Sequence, residues 1–253
     1  MNRITKIVLI CALCVLCLCL TYAYIQNTSE DDFALKQYNW TYEDVHYEIE
    51  IELFQQELDY FNALNFVRRP ASDDRGIGWN IIDFVKSVPT INVEYDSSVT
   101  QIAYLLMREY GHIPHNAFAN QGFVDFVLAF IQLNFDYDSD INLYTSLDYI
   151  AFPIETIILG AGDCEDLAIL FTSIISACGY DAGIAVYRNH AASIVKIDSF
   201  FESDQDGLVL CSYSRDEASQ YYMCETTSDF VQRSGYADVN LTGDLQDCSL
   251  YYL

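Results

Sequence analysis

The segment from Gly160 to Ala168 places a cysteine, Cys164, directly after a glycine-rich turn. Apolar residues then recur at three- and four-residue spacing, which predicts a helix that ends at Gly179. Asp163 is suited to cap this helix, and Asp166 follows three residues later in an acidic version of the capping box. Backbone N–H groups and the helix dipole favour thiolate in a first helical turn. The pattern is typical of a cysteine nucleophile, and a small apolar residue at a helix start is the alternative.

The acidic neighbours of Cys164 oppose this activation. Asp163, Glu165 and Asp166 put carboxylates close to the sulfur, and like charges raise the pKa of a thiol. The helix dipole contributes about 0.3 to 1 kcal/mol, which is less than one pKa unit at about 1.4 kcal/mol per unit. A nucleophilic Cys164 therefore requires an adjacent imidazolium to lower the pKa of its thiol.

His190 is the histidine whose context suits this role. It follows the short polar break Arg188-Asn189 and precedes Ala191–Ile197, whose β-branched residues predict a strand. Gly183–Tyr187, before the break, predicts a partner strand. The sequence thus predicts a histidine at the start of the second strand of a hairpin-like pair. A polar residue at a strand end, without a catalytic role, is the alternative.

The other three histidines lie in less suitable contexts. His46 belongs to the acidic stretch Tyr42–Ala63, which we interpret as helical. His112 and His115 lie in a loop-like pentapeptide where two imidazoles could share a metal ion. That pentapeptide contains no Cys, Asp or Glu that would complete a ligand set, so we expect a solvated loop.

Glu225 is a third polar residue that can orient the imidazole. It lies in Tyr221–Thr227, a run rich in strand-forming residues that can pair beside the His190 strand. A histidine base needs its other ring nitrogen hydrogen-bonded, because that bond fixes one tautomer. A solvent-facing strand carboxylate is the alternative for Glu225.

The ordered combination of these motifs resembles the transglutaminase-like superfamily in its bacterial and archaeal form. The motifs that carry the resemblance are Phe130-Ile131-Gln132, Phe152-Pro153-Ile154-Glu155-Thr156, Gly162-Asp163-Cys164-Glu165-Asp166, His190-Ala191-Ala192 and Glu225-Thr226-Thr227. The resemblance implies an α+β, papain-like fold in which a helix carrying the cysteine packs on an antiparallel sheet. It also implies Cys164 as nucleophile, His190 as general base and acid, and Glu225 as the orienting group.

The chain departs from this superfamily at two positions. Many relatives have aspartate where this chain has Glu225, so the longer side chain must still reach the imidazole. Animal transglutaminases use a tryptophan near the oxyanion, whereas Trp40 and Trp79 lie outside the matched motifs. Stabilisation of the oxyanion is therefore expected from backbone N–H groups near Cys164, helped by Gln132. A polar residue at the end of the predicted helix Phe123–Leu133 is the alternative for Gln132.

The N-terminus predicts a membrane anchor. Arg3 and Lys6 precede an apolar segment of 19 residues, Ile7–Ile25, close to the roughly 20 that span a bilayer. No small-residue cleavage site is clear, and each of the four cysteines in the segment follows Ile or Leu, which does not fit a lipoprotein site. We expect an uncleaved anchor with the remainder exported. A cleaved signal peptide and a secreted product are the alternative.

The charge of the chain argues against nucleic acid as a partner. The net charge is −25, with 12 basic and 37 acidic residues, whereas binding to phosphates requires a basic surface. An acidic surface of this kind can keep a protein soluble at high ionic strength or attract basic substrates at low ionic strength. A solvated acidic surface without a partner is the alternative.

Five of the nine cysteines lie after the predicted anchor, in positions 164, 178, 211, 224 and 248. This odd number fits one reactive thiol and up to two disulfides in an oxidising compartment. Cys211 and Cys224 lie in neighbouring strand-like runs, where they can pair across a hairpin. Cys178 lies on the apolar stripe of the predicted helix, so we expect it in the core.

The sequence predicts three segments: an anchor or signal over residues 1–28, a helical N-terminal extension over 29–118 and a transglutaminase-like catalytic domain over 119–253. The extension includes predicted helices at 41–66 and 97–110 and a loop at 70–78. We expect the extension to cover part of the cleft or to bind a partner.

The predicted function is that of an exported, anchored thiol acyl-transfer enzyme that acts on peptide or protein amides through a thioester. Water as acceptor gives a protease or amidase, which we favour, and an amine as acceptor gives a protein-crosslinking transglutaminase. A catalytically silent peptide-binding module is the alternative of a different class. No cofactor and no metal ion are expected, and the sequence does not predict an oligomeric state.

Overall fold

The computed structural model describes residues 33–63, 97–111, 121–145, 149–187, 190–202, 208–216, 219–228, 231–237 and 248–252. The predicted anchor, the predicted loop at 70–78, Trp79, His112 and His115 lie outside these residues. Among the described helices, none is long and apolar enough to cross a membrane.

The central element is a five-stranded antiparallel sheet with the strand order β11-β5-β6-β9-β8. Its strands are β5 (Ala182–Val186), β6 (Ala191–Lys196), β8 (Ser212–Asp216), β9 (Ser219–Cys224) and β11 (Ser249–Tyr252). β5 and β6 are buried along almost their whole length, which explains their small and β-branched apolar side chains. The two strands predicted on either side of the 188–189 break are confirmed.

Three further strand pairs surround this sheet. The short strands β3 (Asp136–Tyr137) and β4 (Ala161–Gly162) pair in parallel, and β7 (Val209–Leu210) pairs antiparallel with β10 (Tyr236–Ala237). The third pair is the N-terminal hairpin of β1 (Phe33–Tyr42) and β2 (Val45–Phe54).

The described helices form a layer on one side of the central sheet. They are α1 (Gln55–Ala63), α2 (Ser98–Tyr110), α3 (Gln121–Asn134), α4 (Asp140–Tyr144), α5 (Pro153–Leu159) and α6 (Cys164–Ala177). α6 packs on β5 and β6 and is contacted by α2, α3 and α5. The predicted α+β arrangement, with the helix of Cys164 packed on an antiparallel sheet, is confirmed.

The predicted helix at 41–66 is wrong for residues 41–54, which form the end of β1, a turn and β2, whereas residues 55–63 are helical as α1. The reason lies in the period of the sequence. Tyr47, Ile49, Ile51 and Leu53 alternate with polar residues, and this two-residue period puts them on the inner face of the hairpin. His46 is consequently an exposed strand residue. The N-terminal extension therefore begins with a β-hairpin, and helices follow at α1 and α2.

The hairpin shares one hydrophobic core with the residues after position 118. Trp40 of β1 stacks against Tyr47 and meets Phe126 and Phe130 of α3, with ring centroids 5.5 and 5.1 Å apart. Its indole is 3% exposed, so it serves the core rather than an oxyanion. The core is continuous across the predicted boundary at 118, and the division into domains stays a prediction.

Cys211 and Cys224, which the sequence allows to pair, do not form a disulfide in the structure, because the two side chains lie on opposite faces of the sheet. Cys224 packs into the core beneath the helices, whereas Cys211 packs into a second cluster on the other face with Tyr221 and Met223. All described cysteines are free thiols. Cys178 packs against the main core, as predicted.

Candidate active site

Two glycines bring the chain to the start of α6. α5 ends at Gly160, whose φ of 72° is left-handed, a conformation that glycine adopts without the steric cost of a side chain. Gly162 passes so close to α6 that a Cβ there would lie 2.7 Å from the Cβ of Asp166. The glycine-rich turn therefore serves a C-cap and a close backbone approach.

The start of α6 has the predicted cap. The Asp163 side chain accepts a hydrogen bond from the backbone N–H of Asp166, with an N to O distance of 3.4 Å. Asp163 has an extended backbone, as an N-cap residue should. Cys164 is thus the first residue of the helix, half-buried above the core.

His190 and Glu225 form a buried pair. The Nε2 of His190 and the Oε2 of Glu225 are 2.7 Å apart, and the two residues are 8% and 0% exposed. The other carboxylate oxygen accepts hydrogen bonds from the backbone N–H and the hydroxyl of Thr227, at 3.0 and 2.7 Å. Glu225 therefore reaches the imidazole despite the longer side chain that distinguishes it from aspartate.

The ionised form of Glu225 is favoured in this position. Burial raises the pKa of the carboxyl, but the hydrogen bond and charge of His190, together with both bonds from Thr227, outweigh it and lower the pKa below its ordinary value. A buried carboxylate with these partners is suited to hold an imidazole in one orientation.

The thiol of Cys164 lies against the first residue of β6. The backbone N–H of Ala191 is directed toward the sulfur closely enough to lower the pKa of the Cys164 thiol, and Ala191 directly follows His190 in the chain. Nε2 of His190 is engaged with Glu225, so Nδ1 is the ring nitrogen that does not contact this carboxylate. The structure thus pairs His190 with Glu225 and places Cys164 near the residue that follows His190, and the catalytic role of the three residues stays a prediction.

The surroundings of Cys164 favour the neutral thiol. Burial raises the pKa of the Cys164 thiol, and the carboxylates of Glu165 and Asp163 raise it further, while the backbone N–H of Ala191 lowers it only in part. The thiol donates a hydrogen bond to Oε2 of Glu165 at 2.9 Å. The expectation that the helix terminus favours thiolate is therefore outweighed by burial and by the neighbouring carboxylates.

Gln132 does not lie where the prediction of an oxyanion contact requires. Its Nε2 donates to the backbone carbonyl of Glu225 at 2.7 Å, and its Oε1 accepts from the backbone N–H of Gln232 at 3.0 Å. Both polar groups of the amide are directed at the backbone around Glu225. The oxyanion assignment is therefore not supported for this side chain.

Tyr137 is a residue of the site that the sequence analysis missed. It lies on β3, opposite Gly162 of β4 and so two residues from Cys164 in the paired register. Its side chain is 57% exposed. Burial raises the pKa of its phenol, and interactions with Cys164 and Asp163 raise it further. Tyr137 therefore lies in the neighbourhood of the thiol, and no local motif in the sequence indicates this.

An acidic cluster lies beside the thiol and could hold a metal ion. Carboxylate oxygens of Asp140, Asp163 and Asp166 lie within 4.8 Å of one another. Burial raises the pKa of Asp163 to about 10, and the charges of Glu165, Asp166 and Asp140 contribute to the rise. Burial also raises the pKa of Asp166. Crowded carboxylates of this kind must either take up protons or bind a cation.

Asp166 provides the sign that this cluster suits a cation. Its Oδ1 accepts a hydrogen bond from the backbone N–H of Ala151 at 2.7 Å. Its Oδ2 is buried and has no hydrogen-bond partner among the described residues. Oxygen ligands are those that Ca²⁺ and Mg²⁺ prefer. The sequence analysis missed this cluster because Asp140 lies far from the Cys164 motif in the chain.

No family model and no curated protein matches the chain. Among solved structures, Legionella pneumophila LapG is 17% identical to this chain, and the match covers 68% of this chain and 83% of that protein with a TM-score of 0.33. The calcium-bound form of that protein is 18% identical, with a TM-score of 0.33. A Cytophaga hutchinsonii protein described as a candidate cysteine protease is 14% identical over 87% of this chain and 74% of its own, with a TM-score of 0.33. Because these identities are below 20% and the TM-scores are 0.33, the function of this chain is inferred from the geometry of its own site.

Proposed function

We propose that this protein is a thiol acyl-transfer enzyme that hydrolyses peptide or protein amides, with Cys164 as nucleophile, His190 as general base and acid, and Glu225 as the residue that orients the imidazole. The observation that carries this proposal is the buried hydrogen bond of 2.7 Å between Nε2 of His190 and Oε2 of Glu225. His190 directly precedes Ala191, whose backbone N–H lowers the pKa of the Cys164 thiol. A nucleophile, a base and an orienting acid are the three parts of such catalysis.

The reaction starts from a neutral thiol. His190 accepts the thiol proton as the sulfur attacks the amide carbonyl, which forms a C–S bond and places a negative charge on the carbonyl oxygen. Backbone N–H groups at the start of α6 are suited to stabilise that oxyanion. His190 then gives its proton to the leaving amine as the C–N bond breaks, and a thioester remains. Water, deprotonated by His190, attacks the thioester and releases the acid and the thiol.

The hydrogen bond from Cys164 to Glu165 holds the thiol proton in the resting enzyme. A thiol that donates to a carboxylate at 2.9 Å must leave that partner before its proton can pass to His190. Arrival of the substrate carbonyl at the sulfur would make this exchange favourable, because the attack itself shifts charge from sulfur to oxygen. The proposed mechanism therefore uses general-base activation during attack, as serine hydrolases do, rather than a preformed thiolate–imidazolium pair.

We also propose that the enzyme acts outside the cytoplasm, held at the membrane by residues 7–25. The proposal rests on the length and hydrophobicity of that segment and on Arg3 and Lys6 before it. Cleavage of the segment and secretion are the alternative outcome. Mass spectrometry of the N-terminal peptide from the native membrane fraction distinguishes an intact anchor from a cleaved signal.

Selective alkylation of Cys164 tests the proposed chemistry. We expect the substitution His190→Ala to slow the alkylation of Cys164 by iodoacetamide, because the resting thiol is neutral and reacts only when His190 accepts its proton. His46→Ala is the matched control, since His46 is an exposed strand residue on the hairpin. Equal alkylation in wild type and His190→Ala would contradict the enzyme and favour the silent peptide-binding module.

The acceptor of the acyl group is tested separately. Incubation of the full chain with a glutamine-containing protein and a fluorescent primary amine would give stable labelling of that protein if the enzyme is a transglutaminase. New peptide termini without amine incorporation would indicate a protease. We expect hydrolysis, because water is always available and none of the described contacts marks an amine-binding site at Cys164.

We propose in addition that the cluster of Asp140, Asp163 and Asp166 binds a divalent cation such as Ca²⁺. The proximity of the three carboxylates and the buried, unpartnered Oδ2 of Asp166 support it. A cation bound only by the folded state stabilises it by about 2.7 kcal/mol at 100 times the Kd. We therefore expect CaCl₂ to raise the unfolding midpoint relative to EGTA.

The substitution Asp166→Asn provides the matching variant for the cation. It keeps an oxygen for the N–H of Ala151 but removes one charge from the cluster, so the calcium response should be lost. Glu48→Gln removes the same charge from the exposed face of β2 and should respond like the wild type. An equal response of all three proteins would indicate unspecific binding to the acidic surface.

A further inference from the structure

Two polar side chains of α3 face the chain segment that carries Glu225. Asp125 and Gln132 are seven residues apart, which places them on one face of the helix, two turns and about 10.5 Å from each other along its axis. Most other residues of α3 before Gln132 are buried apolar side chains. A buried aspartate and a half-buried glutamine on this otherwise apolar helix require a partner, and both have one.

The first partner of α3 is the backbone of Glu225 itself. Gln132 donates from Nε2 to the carbonyl oxygen of Glu225 at 2.7 Å and accepts at Oε1 from the N–H of Gln232 at 3.0 Å. One amide therefore binds two backbone positions that are seven residues apart in the chain. The Gln232 side chain continues the contact, because its Nε2 donates to the carbonyl of Tyr236 at 2.8 Å.

The second partner is Ser234, at the other end of the same segment. Oδ1 of Asp125 accepts from both the backbone N–H and the hydroxyl of Ser234, at 2.8 and 2.6 Å. Gly235 then returns to the sheet, where its N–H donates to the carbonyl of Met223 at 2.6 Å. The segment after β9 is thus hydrogen-bonded to α3 at both ends. Gln132 makes the bond at the end that carries Glu225.

We propose that Gln132 is a positioning residue that sets the place of Glu225 relative to His190, an inference that rests on the proposed function. The carboxylate of Glu225 is fixed by His190 and Thr227, and its backbone is fixed by Gln132. A glutamate has one more rotatable bond than an aspartate, so a fixed backbone is needed to bring its carboxylate to the imidazole reproducibly. A displacement of about 1 Å at such a site can cost about 100-fold in rate.

Two substitutions separate the contacts of Gln132. Gln132→Leu removes both hydrogen bonds at similar volume. Gln132→Glu keeps an acceptor for the N–H of Gln232 but cannot donate to the carbonyl of Glu225. Asn134→Leu is the control, because Asn134 lies on the same helix and donates to Phe130 within that helix at 2.9 Å, away from the Glu225 segment.

We expect both Gln132 variants to lower kcat at least about 10-fold with KM within twofold, while Asn134→Leu stays close to the wild type. A structural role alone would lower the unfolding midpoint without this selective loss of kcat. A loss confined to KM would overturn the inference, because it would indicate a contact with substrate. If Gln132→Leu fails to fold, Gln132→Glu decides the question by the same criteria.

A spectroscopic measurement makes the inference independent of activity. The Nε2 proton of a histidine bonded to a buried carboxylate gives a far-downfield, slowly exchanging proton resonance, which His190→Ala identifies. We expect this resonance in the wild type and in Asn134→Leu, and its loss or broadening in both Gln132 variants. Persistence of the resonance in Gln132→Glu overturns the inference. If the wild type shows the resonance but cleaves no peptide, the proposed function fails and the resonance alone tests the role of Gln132.

Discussion

At the scale of single residues, the charge of Glu225 is sustained by its hydrogen bonds. The residue is fully buried, which by itself would favour the protonated acid. His190 and Thr227 reverse this preference and hold the pKa of Glu225 below its ordinary value. Proton uptake, which would break the pair, therefore requires a more acidic solution than an exposed glutamate does.

The lowered pKa of Glu225 predicts how stability depends on pH. A carboxyl group whose pKa is lower in the folded than in the unfolded state stabilises the fold at every pH above its unfolded pKa, which is 4.5 for Glu225. This stabilisation is lost as the pH falls through the pKa of the folded state. We expect Glu225→Gln to be less stable than the wild type at pH 7 and the difference to shrink below pH 4.5. Urea unfolding of both proteins across this range measures it. A difference that is constant with pH would contradict the assignment.

At the scale of elements, a single glutamate joins two helices of the N-terminal extension. Glu57 of α1 accepts hydrogen bonds from the backbone N–H and the hydroxyl of Ser98, at 3.0 Å each. The backbone N–H of Ser98 lies in the first turn of α2, where N–H groups have no acceptor within the helix backbone. Glu57 supplies that acceptor. The residue is 4% exposed, and burial raises the pKa of its carboxyl.

This contact predicts losses of stability of different size for two substitutions of Glu57. Glu57→Ala leaves the buried N–H of Ser98 without its acceptor and should lower the free energy of unfolding by about 1–3 kcal/mol. Glu57→Gln keeps an acceptor and removes the buried charge, so it should cost less than Glu57→Ala at pH 7. Denaturant unfolding measures both, with the exposed Glu48→Ala as control. Equal losses for Ala and Gln would contradict this account.

At the scale of the whole molecule, the β1–β2 hairpin is part of the core that supports the site. Trp40 packs on α3, the helix that also carries Gln132. On this basis Trp40→Ala should lower the free energy of unfolding by about 3–5 kcal/mol and do so in one cooperative transition. Fluorescence and circular dichroism followed together check this. Val45→Ala, at a position 50% exposed, is the control. Separate transitions would instead indicate an independent extension.

The anchor and the acidic surface also belong to this scale. The described residues include no helix suited to cross a membrane, so the anchor at 7–25 stays a prediction from the sequence. The net charge of −25 is carried partly by the outer face of β2, where Glu48, Glu50 and Glu52 alternate with core residues. This face carries some of the acidity of the chain on a regular strand surface.

What the sequence by itself determined was local. The sequence predicted Asp163 as N-cap, the helix after Cys164, the strands on either side of the 188–189 break and the glycine-rich turn before Cys164, and all of these depend on residues a few positions apart. Caps, periodicity and turn residues act over one or two helical turns, so a single segment contains enough information to predict them. The hairpin was missed because its two-residue alternation was interpreted with the period of a helix.

What only the tertiary structure decided depends on residues distant in the chain. Glu225 and His190 are 35 positions apart in the chain. The acidic cluster joins Asp140 to Asp163, which is 23 positions away, and to Asp166. The partners of Gln132 lie 93 and 100 positions from it. The protonation of Cys164 follows from burial and from carboxylates that fold around it. Such properties arise only when packing has fixed which groups lose water and which meet, because burial and proximity are set by the whole fold.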